Sequence, residues 1–443
     1  MNHALDECFT PSWYYRTSAH SFFKKVEVLI DMDCKYTQRF YEDAFVSTPL
    51  RSSKWRIVKR RRHGGLYPNA NTAEELVDQE ERPDRFELRV EEYETIPWET
   101  IMASNSKTGA SSFCVRKGLG RKAVMAETLS AHRIKCGGKC PLNSALPETI
   151  VIDTTSVFLQ RPNWLDFRSA FAECISDAEE AMDLVGNGAL WVLKPSITNK
   201  AEGLSIVGSI EEVKEALLDL PEMGTWVLQR YIDRPLLLLP TRNKFHLRIY
   251  VLASGSLSVH VFKEGLVLIA AAPYDRDSAR DENQRAAHIT NTCVGVSDGF
   301  QLFNENIHVR SMMELAGMLL EANVVPSMEE AEIRVNQIWE SIFEIIDHSF
   351  RALEGRVGLY MPLPSPSFEL YGVDFLVDDA FKVSLLEFNP SPDVKQTGKR
   401  LDGIIARLLD GVIGLATGDS DGCGFQRVYQ KDWPHGRMAI KVT

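Results

Sequence analysis

Two apolar stretches late in the chain each hold a single carboxylate, and few folds tolerate that. Asp374 lies within Tyr371-Gly-Val-Asp-Phe-Leu-Val377 and Glu387 within Val383-Ser-Leu-Leu-Glu-Phe-Asn389. The stretches read as antiparallel strands, Phe368 to Val377 and Lys382 to Phe388, joined by the acidic turn Asp378-Asp379. An ionised carboxylate in an apolar strand is costly unless something compensates it. Strand alternation puts Glu387 and Asn389 on one face, and with Asp374 on the neighbouring strand they make a hard oxygen cluster. Magnesium suits such a set, because it takes a few protein oxygens and completes its shell with water and phosphate. The plainer alternative leaves both acids as edge-strand surface residues.

Upstream, strand and helix patterns alternate. Leu190-Trp-Val-Leu-Lys194 is an apolar run ending in lysine, Leu204 to Val207 is another, and Trp226 to Ile232 is a third. Ile210 to Leu220 has helical spacing until Pro221 stops it. Phe245 to Ala253 and Leu257 to Phe262, around Ser254-Gly255, read as a hairpin. Ile333, Ile338, Ile342, Ile345, Ile346, Phe350 and Leu353 fall on one face of a long helix, and a last helix covers about Gly403 to Leu415. Val26 to Ile30 reads as a strand, whereas the polar stretch from Arg51 to about Arg85 has no sustained apolar period and predicts loops. The expected class is α/β (α+β).

From Ser112 a helical pattern runs past Arg116-Lys117 and Arg121-Lys122 until Cys136-Gly-Gly-Lys-Cys140-Pro141 breaks it. His132, Cys136 and Cys140 have zinc-ligand chemistry. No fourth ligand is evident, however, and the spacing matches no common structural-zinc pattern, so a plain loop is expected.

Lys194 ends its strand beside a polar loop that closes at Lys200-Ala-Glu-Gly203. A lysine there is either a phosphate clamp, with point charge and loop donors, or a solvated strand cap. Gln229-Arg230-Tyr231-Ile232, before Pro235, can offer main-chain groups and apolar contact to a purine.

Composition bounds the function classes. The 443 residues are 44% hydrophobic and 25% charged with a formal charge of −11, which disfavours indiscriminate nucleic-acid binding. A local exception is Lys54, Arg56, Lys59, Arg60, Arg61 and Arg62, which read first as a solvated loop and next as a site for an acidic tail, ahead of RNA. Eight scattered cysteines predict reduced thiols. No signal peptide is recognisable, and no run approaches the roughly 20 apolar residues of a membrane span, so a cytoplasmic protein without membrane attachment is expected.

Taken in order, the segments resemble the tubulin-tyrosine ligase family, a branch of the ATP-grasp ligases, over roughly residues 112 to 413. The matching blocks are Val115-Arg-Lys117, Trp191-Val-Leu-Lys-Pro195, Leu228-Gln-Arg-Tyr-Ile232 with Pro235-Leu-Leu-Leu238, Lys244-Phe-His-Leu-Arg248, His288-Ile-Thr-Asn291, Gly372-Val-Asp374 and Leu386-Glu-Phe-Asn389. Asn389-Pro-Ser-Pro-Asp393 and Lys395-Gln-Thr-Gly398 are most similar to fungal members, including the ligase-like domain of processing-body proteins. The resemblance implies an ATP-grasp fold, with α+β subdomains at 112–236 and 237–415 clamping nucleotide, a smaller α/β domain at 1–111 and a polar tail at 416–443.

It also implies roles. Lys194 and Lys244 would contact the nucleotide phosphates, Gly203 and His246 would also belong to the nucleotide site, and Gln229, Arg230, Tyr231 and Ile232 would line the adenine pocket. Arg248, Thr290 and Asn291 would approach the γ-phosphate or the acceptor carboxylate, and Asp374, Glu387 and Asn389 would hold Mg2+. The implied activity is ATP-dependent addition of a free amino acid to a protein carboxylate on an acidic tail, with tubulin the default acceptor. The implied alternative is a nucleotide-binding scaffold among mRNA-decay proteins. Two departures bear on the choice: His246 stands where the family usually has aspartate, and Gly265-Leu-Val-Leu-Ile269 lacks the arginine of classical tyrosine ligases.

Overall fold

The computed structural model describes residues 25–60, 75–77, 85–102, 107–112, 116–159, 164–186, 188–198, 202–255, 257–290, 304–354, 366–397, 399–420 and 422–431. Three sheets follow one another along the chain. The first has β1 (Val26–Asp31), β2 (Trp55–Arg60), β3 (Glu75–Val77), β4 (Leu88–Glu91) and β5 (Gly109–Ala110), all pairs parallel, in the order β3-β2-β1-β4-β5. Helix α1 (Lys35–Val46) packs against it through Phe40, Tyr41 and Phe45.

The stretch from Arg51 to Arg85 is therefore not all loop, since β2 and β3 lie in it. Lys54, Arg56 and Lys59 are spoken for: their side chains pair with Asp419 at 2.8 Å, Glu27 at 3.2 Å and Glu42 at 3.1 Å. Strand pairing outweighs local polarity because a parallel strand is specified by neighbours distant in sequence. Arg61 and Arg62 lie outside the described residues.

Helix α2 (Lys122–Cys136) leads to the second sheet, built from β6 (Thr149–Asp153), β7 (Trp191–Pro195), β8 (Ser205–Val207) and β9 (Thr225–Arg230) in the order β6-β9-β7-β8. Helices α3 (Trp164–Val185) and α4 (Ile210–Asp219) cover it, burying Ile175, Val213 and Leu217 against Trp191, Leu193 and Trp226.

The third sheet is the largest. It contains β10 (Leu237–Leu238), β11 (Asn243–Ser254), β12 (Ser258–Phe262), β13 (Leu266–Ile269), β14 (Val309–Ser311), β15 (Phe368–Val377), β16 (Val383–Pro390) and β17 (Phe425–Gln430). The predicted hairpin is β11–β12, closed at Ser254↔Ser258. β15 pairs with β11 on one side and β16 on the other. β17 adds to β12, so the segment expected as a polar tail contributes a strand.

Helix α5 (Met328–Glu354) covers one face of this sheet with Ile338, Ile342, Ile345, Ile346, Phe350 and Leu353, while Ile333, assigned to that face from spacing, is 44% exposed near the helix start. Helix α6 (Asp402–Thr417) and α1 fill the other face with Ile405, Leu408 and Leu409 against Tyr250, Leu252 and Leu370. Among the described residues no helix is long and apolar enough to cross a membrane.

Candidate active site

Lys244, His246 and Arg248 alternate along β11, so they share a face, while Phe245, Leu247 and Ile249 point into the opposite core. On the adjoining strands Arg248 is the direct partner of Asp374, and Asp374 of Glu387; Gly372 faces Asn389. The second sheet presents Lys194 from β7 and Gln229 and Arg230 from β9. Between the sheets lies a solvent-open cleft of about 1040 Å3, whose walls include Lys194, Gln229, Lys244, His246, Asp374 and Glu387. Apolar contact comes from Val192, Leu204, Ile206, Ile232 and Leu376.

The charged groups form two linked sets. In the acidic set, the Arg248 guanidinium forks onto Asp374 through Nε and Nη2, the latter at 3.0 Å from Oδ2. The Asn389 carboxamide nitrogen donates to Asp374 Oδ2 and to Glu387 Oε1, each at 3.1 Å. Lys122, the first residue of α2, brings Nζ to 3.5 Å from Glu387 Oε2 and donates to the Thr198 carbonyl at 2.7 Å. Burial alone pushes the Glu387 carboxyl up, but Lys122 and Lys194, together with the Asn389 hydrogen bond and Arg248, outweigh it and hold the group down at about 2.

In the basic set, Lys194 Nζ donates to Gln229 Oε1 at 3.0 Å, and Gln229 Nε2 to Thr149 Oγ1 at 3.0 Å. Lys244 Nζ donates to the Tyr231 hydroxyl at 3.1 Å, and that hydroxyl meets His288 Nδ1 at 2.9 Å. Desolvation lowers Lys194 to about 8, with Glu387 opposing, and Lys244 to about 7. Two buried ammonium groups without a full carboxylate partner are suited to an incoming polyanion, which restores their charge.

His246 is 4% exposed; burial lowers it to about 4 against the pull of Asp374, so it is neutral near pH 7. Its Nδ1 meets Thr290 Oγ1, and Nε2, 3.7 Å from Asp374 Oδ1, has no hydrogen-bond partner among the described residues.

Of the residues read from the sequence, Lys194, Gln229, Arg230, Tyr231, Ile232, Lys244, His246, Thr290, Asp374 and Glu387 all line the cleft. Arg248 is not among the residues lining it and sits on Asp374, which it grips through Nε and Nη2. Asn389 lies beside it, bridging the two acids. Gly203 backs onto Pro195, where a Cβ would approach Cγ to 2.9 Å, and its φ of +69° favours glycine; its neighbours Glu202 and Leu204 reach the cleft. Asn291 lies outside the described residues, as does Val115. The sequence marks Lys122 only as one of a basic pair; its place at the start of a helix following the basic block is the signal that singles it out.

The sequence profile described as "Tubulin-tyrosine ligase family" matches residues 154–421. The chain belongs to the tubulin-tyrosine ligase family. It is 28% identical over 362 residues to a "Probable tubulin--tyrosine ligase" of Schizosaccharomyces pombe, covering 73% of this chain and 81% of that one. To "Probable tubulin--tyrosine ligase PBY1" of Saccharomyces cerevisiae it is 27% identical over 364 residues, 73% of this chain but only 44% of the yeast protein, so it spans under half of that relative's length. A solved structure described as the C-terminal domain of K. lactis Pby1, "an ATP-grasp enzyme interacting with the mRNA decapping enzyme Dcp2", superposes with a TM-score of 0.60 at 21% identity. It covers 92% of this chain and 100% of that domain. The family member described here therefore has the ATP-grasp fold, and family and fold together support a ligase-type, ATP-dependent enzyme.

Proposed function

We propose that the chain is an ATP- and Mg2+-dependent carboxylate–amine ligase that adds an amino acid to a carboxylate of a protein acceptor. The observation that carries this reading is the convergence of Asp374, Glu387 and Asn389 from β15 and β16 upon a cleft whose other walls hold Lys194 and Lys244. The donor set fits magnesium: the Asn389 carboxamide lies within hydrogen-bond reach of both carboxylates, which are cross-strand partners, and half a turn of the amide exchanges its nitrogen for its oxygen. When bound, the ion neutralises phosphate charge and orients the γ-phosphoryl group.

The chain's own residues do the rest. Lys194 and Lys244 regain full charge against the phosphates. The strand end Gln229–Ile232 with Val192, Leu204 and Ile206 encloses the base. A carboxylate is a poor electrophile, so an acceptor carboxylate oxygen first takes the γ-phosphoryl group, releasing ADP. The neutral amine of the amino acid then attacks the acyl carbon, expels phosphate and loses a proton, leaving an amide. Thr290, hydrogen-bonded to neutral His246, faces the space where the acceptor would enter.

The direct test supplies the purified chain with ATP, Mg2+, labelled amino acids and tubulin. Label on tubulin supports the ligase with its default acceptor, and ATP consumption dependent on amino acid with another acidic-tailed protein supports a different acceptor. A second reading, a nucleotide-binding scaffold among cytoplasmic mRNA-decay proteins, is favoured by likeness to a domain whose description names Dcp2. It predicts ATP binding without label transfer to any acceptor, together with capture of a decapping enzyme.

A further inference from the structure

We propose that His132, Cys136, Cys140 and His348 form a tetrahedral zinc site that staples helix α2 to helix α5, away from the cleft. The sequence favours a plain loop here for want of a fourth ligand, and His348 on α5, 208 residues beyond Cys140, supplies one. His132 and Cys136 are four apart on α2 and share a helix face. The helix ends at Gly137, whose φ of +80° turns the chain back. Cys140 N and Asn143 Nδ2 both donate to the Gly137 carbonyl, at 3.1 and 2.9 Å, which tucks Cys140 under the helix end.

The ligand atoms are already gathered. His132 Nε2 lies 3.2 Å from His348 Nδ1, and that nitrogen is 3.8 Å from Cys140 Sγ and 4.0 Å from Cys136 Sγ. All four ligand atoms lie within 4.8 Å of one another. A tetrahedral zinc with Zn–S of about 2.3 Å and Zn–N of about 2.0 to 2.1 Å has ligand-to-ligand edges of about 3.3 to 3.8 Å. Small side-chain rotations close the difference. Two thiolates balance the charge of the ion, and two neutral imidazoles complete the Cys2His2 set common among structural zinc sites.

The competing arrangement, a Cys136–Cys140 disulfide, is not formed: both cysteines are free. A disulfide would also leave unexplained why two imidazoles from separate helices meet at these sulfurs. The site joins a helix of the 112–236 segment to one of the 237–415 segment. Helix α2 starts at Lys122 against Glu387, about 20 Å from the zinc ligands at its other end, so the ion pair would hold one end of the helix and the metal the other. The inference rests on this side-chain cluster alone and stands whether or not the ligase reading does.

The test uses the full chain purified under reducing conditions without chelator. Elemental analysis is expected to find about one zinc per chain, falling to background in Cys136→Ser/Cys140→Ser and in His348→Ala. Should either variant fail to fold, cobalt titration of the chelator-stripped wild type decides: tetrahedral d–d bands with thiolate charge transfer are expected, and zinc should displace the cobalt. Stripping should lower Tm by about 5 °C, restored by zinc alone. Wild-type protein that takes up neither zinc nor cobalt, zinc retained at full stoichiometry by the double cysteine variant, or a Cys136–Cys140 disulfide in protein kept reduced would overturn the proposal.

Discussion

Arg248 on β11 and Asp374 on β15 are direct cross-strand partners, and the guanidinium grips the carboxylate with both Nε and Nη2. Both side chains are under a tenth exposed. Removing one member of such a pair leaves a buried charge without compensation, whereas replacing both with apolar groups is far milder. Arg248→Met should therefore destabilise the protein by about 3 to 5 kcal/mol, and Arg248→Met/Asp374→Leu by clearly less than the sum of the single changes. Chemical denaturation of the four proteins in the cycle checks this.

Gly372 makes room for that pair. A Cβ at this position would stand 2.9 Å from Arg248 Cδ and 2.9 Å from Pro392 Cβ, and the proline cannot swing aside. Gly372→Ala is expected to cost about 1 to 3 kcal/mol, the usual range for overpacking, and to weaken nucleotide binding by moving Arg248. Urea unfolding combined with a nucleotide titration measures both effects.

The buried lysines make nucleotide binding pH-dependent. In the free protein Lys244 is lowered to about 7 and Lys194 to about 8 by burial. Bound phosphate holds their protons to higher pH, so the complex binds more protons than the free protein and affinity falls as pH rises above 7. The loss should reach about tenfold per pH unit for each lysine once it is neutral in the free state. Calorimetry at pH 8 in buffers of different ionisation enthalpy should detect proton uptake; heats independent of buffer would contradict the assignment.

Acid stability has a separate origin. His246 and His288 are held near 4 chiefly by burial, which Asp374 opposes at His246 and Lys244 reinforces at His288. Between about 4 and 6.5 the unfolded chain binds more protons at these positions than the folded one, so stability falls as pH drops through that window. Each contributes a loss on the order of 2 kcal/mol by pH 4.5. His288→Gln should flatten the dependence of Tm on pH over this range.

Much of this site was legible because its parts are local. Asp374, Glu387 and Asn389 stand on two strands joined by a short turn, so alternation and one hairpin register bring them together. Lys194, Lys244 and His246 stand in sequence blocks that follow the family's order. What escaped the sequence depends on distant partners: the Lys122–Glu387 contact bridges 265 residues, and the Arg248–Asp374 pair forms only after β15 docks on β11. The same reason hid β2 and β17, whose pairing partners lie elsewhere in the chain, and turned three residues of the basic run into internal ion pairs. His348 gave no signal at all beside His132 and the two cysteines, because nothing in the spacing of a long amphipathic helix marks one histidine as facing a loop 208 residues away.

The most direct test of the central claim is Mg2+-dependent ATP turnover by Glu387→Gln beside the wild type. The substitution keeps the side chain's shape and removes the charge that Lys122 and Lys194 hold ionised. With the circular dichroism spectrum unchanged, turnover should fall by about a hundredfold or more, the scale expected when a metal or transition-state contact is lost. Turnover at the wild-type rate, with the same magnesium requirement, would contradict the assignment of Asp374, Glu387 and Asn389 as the magnesium site.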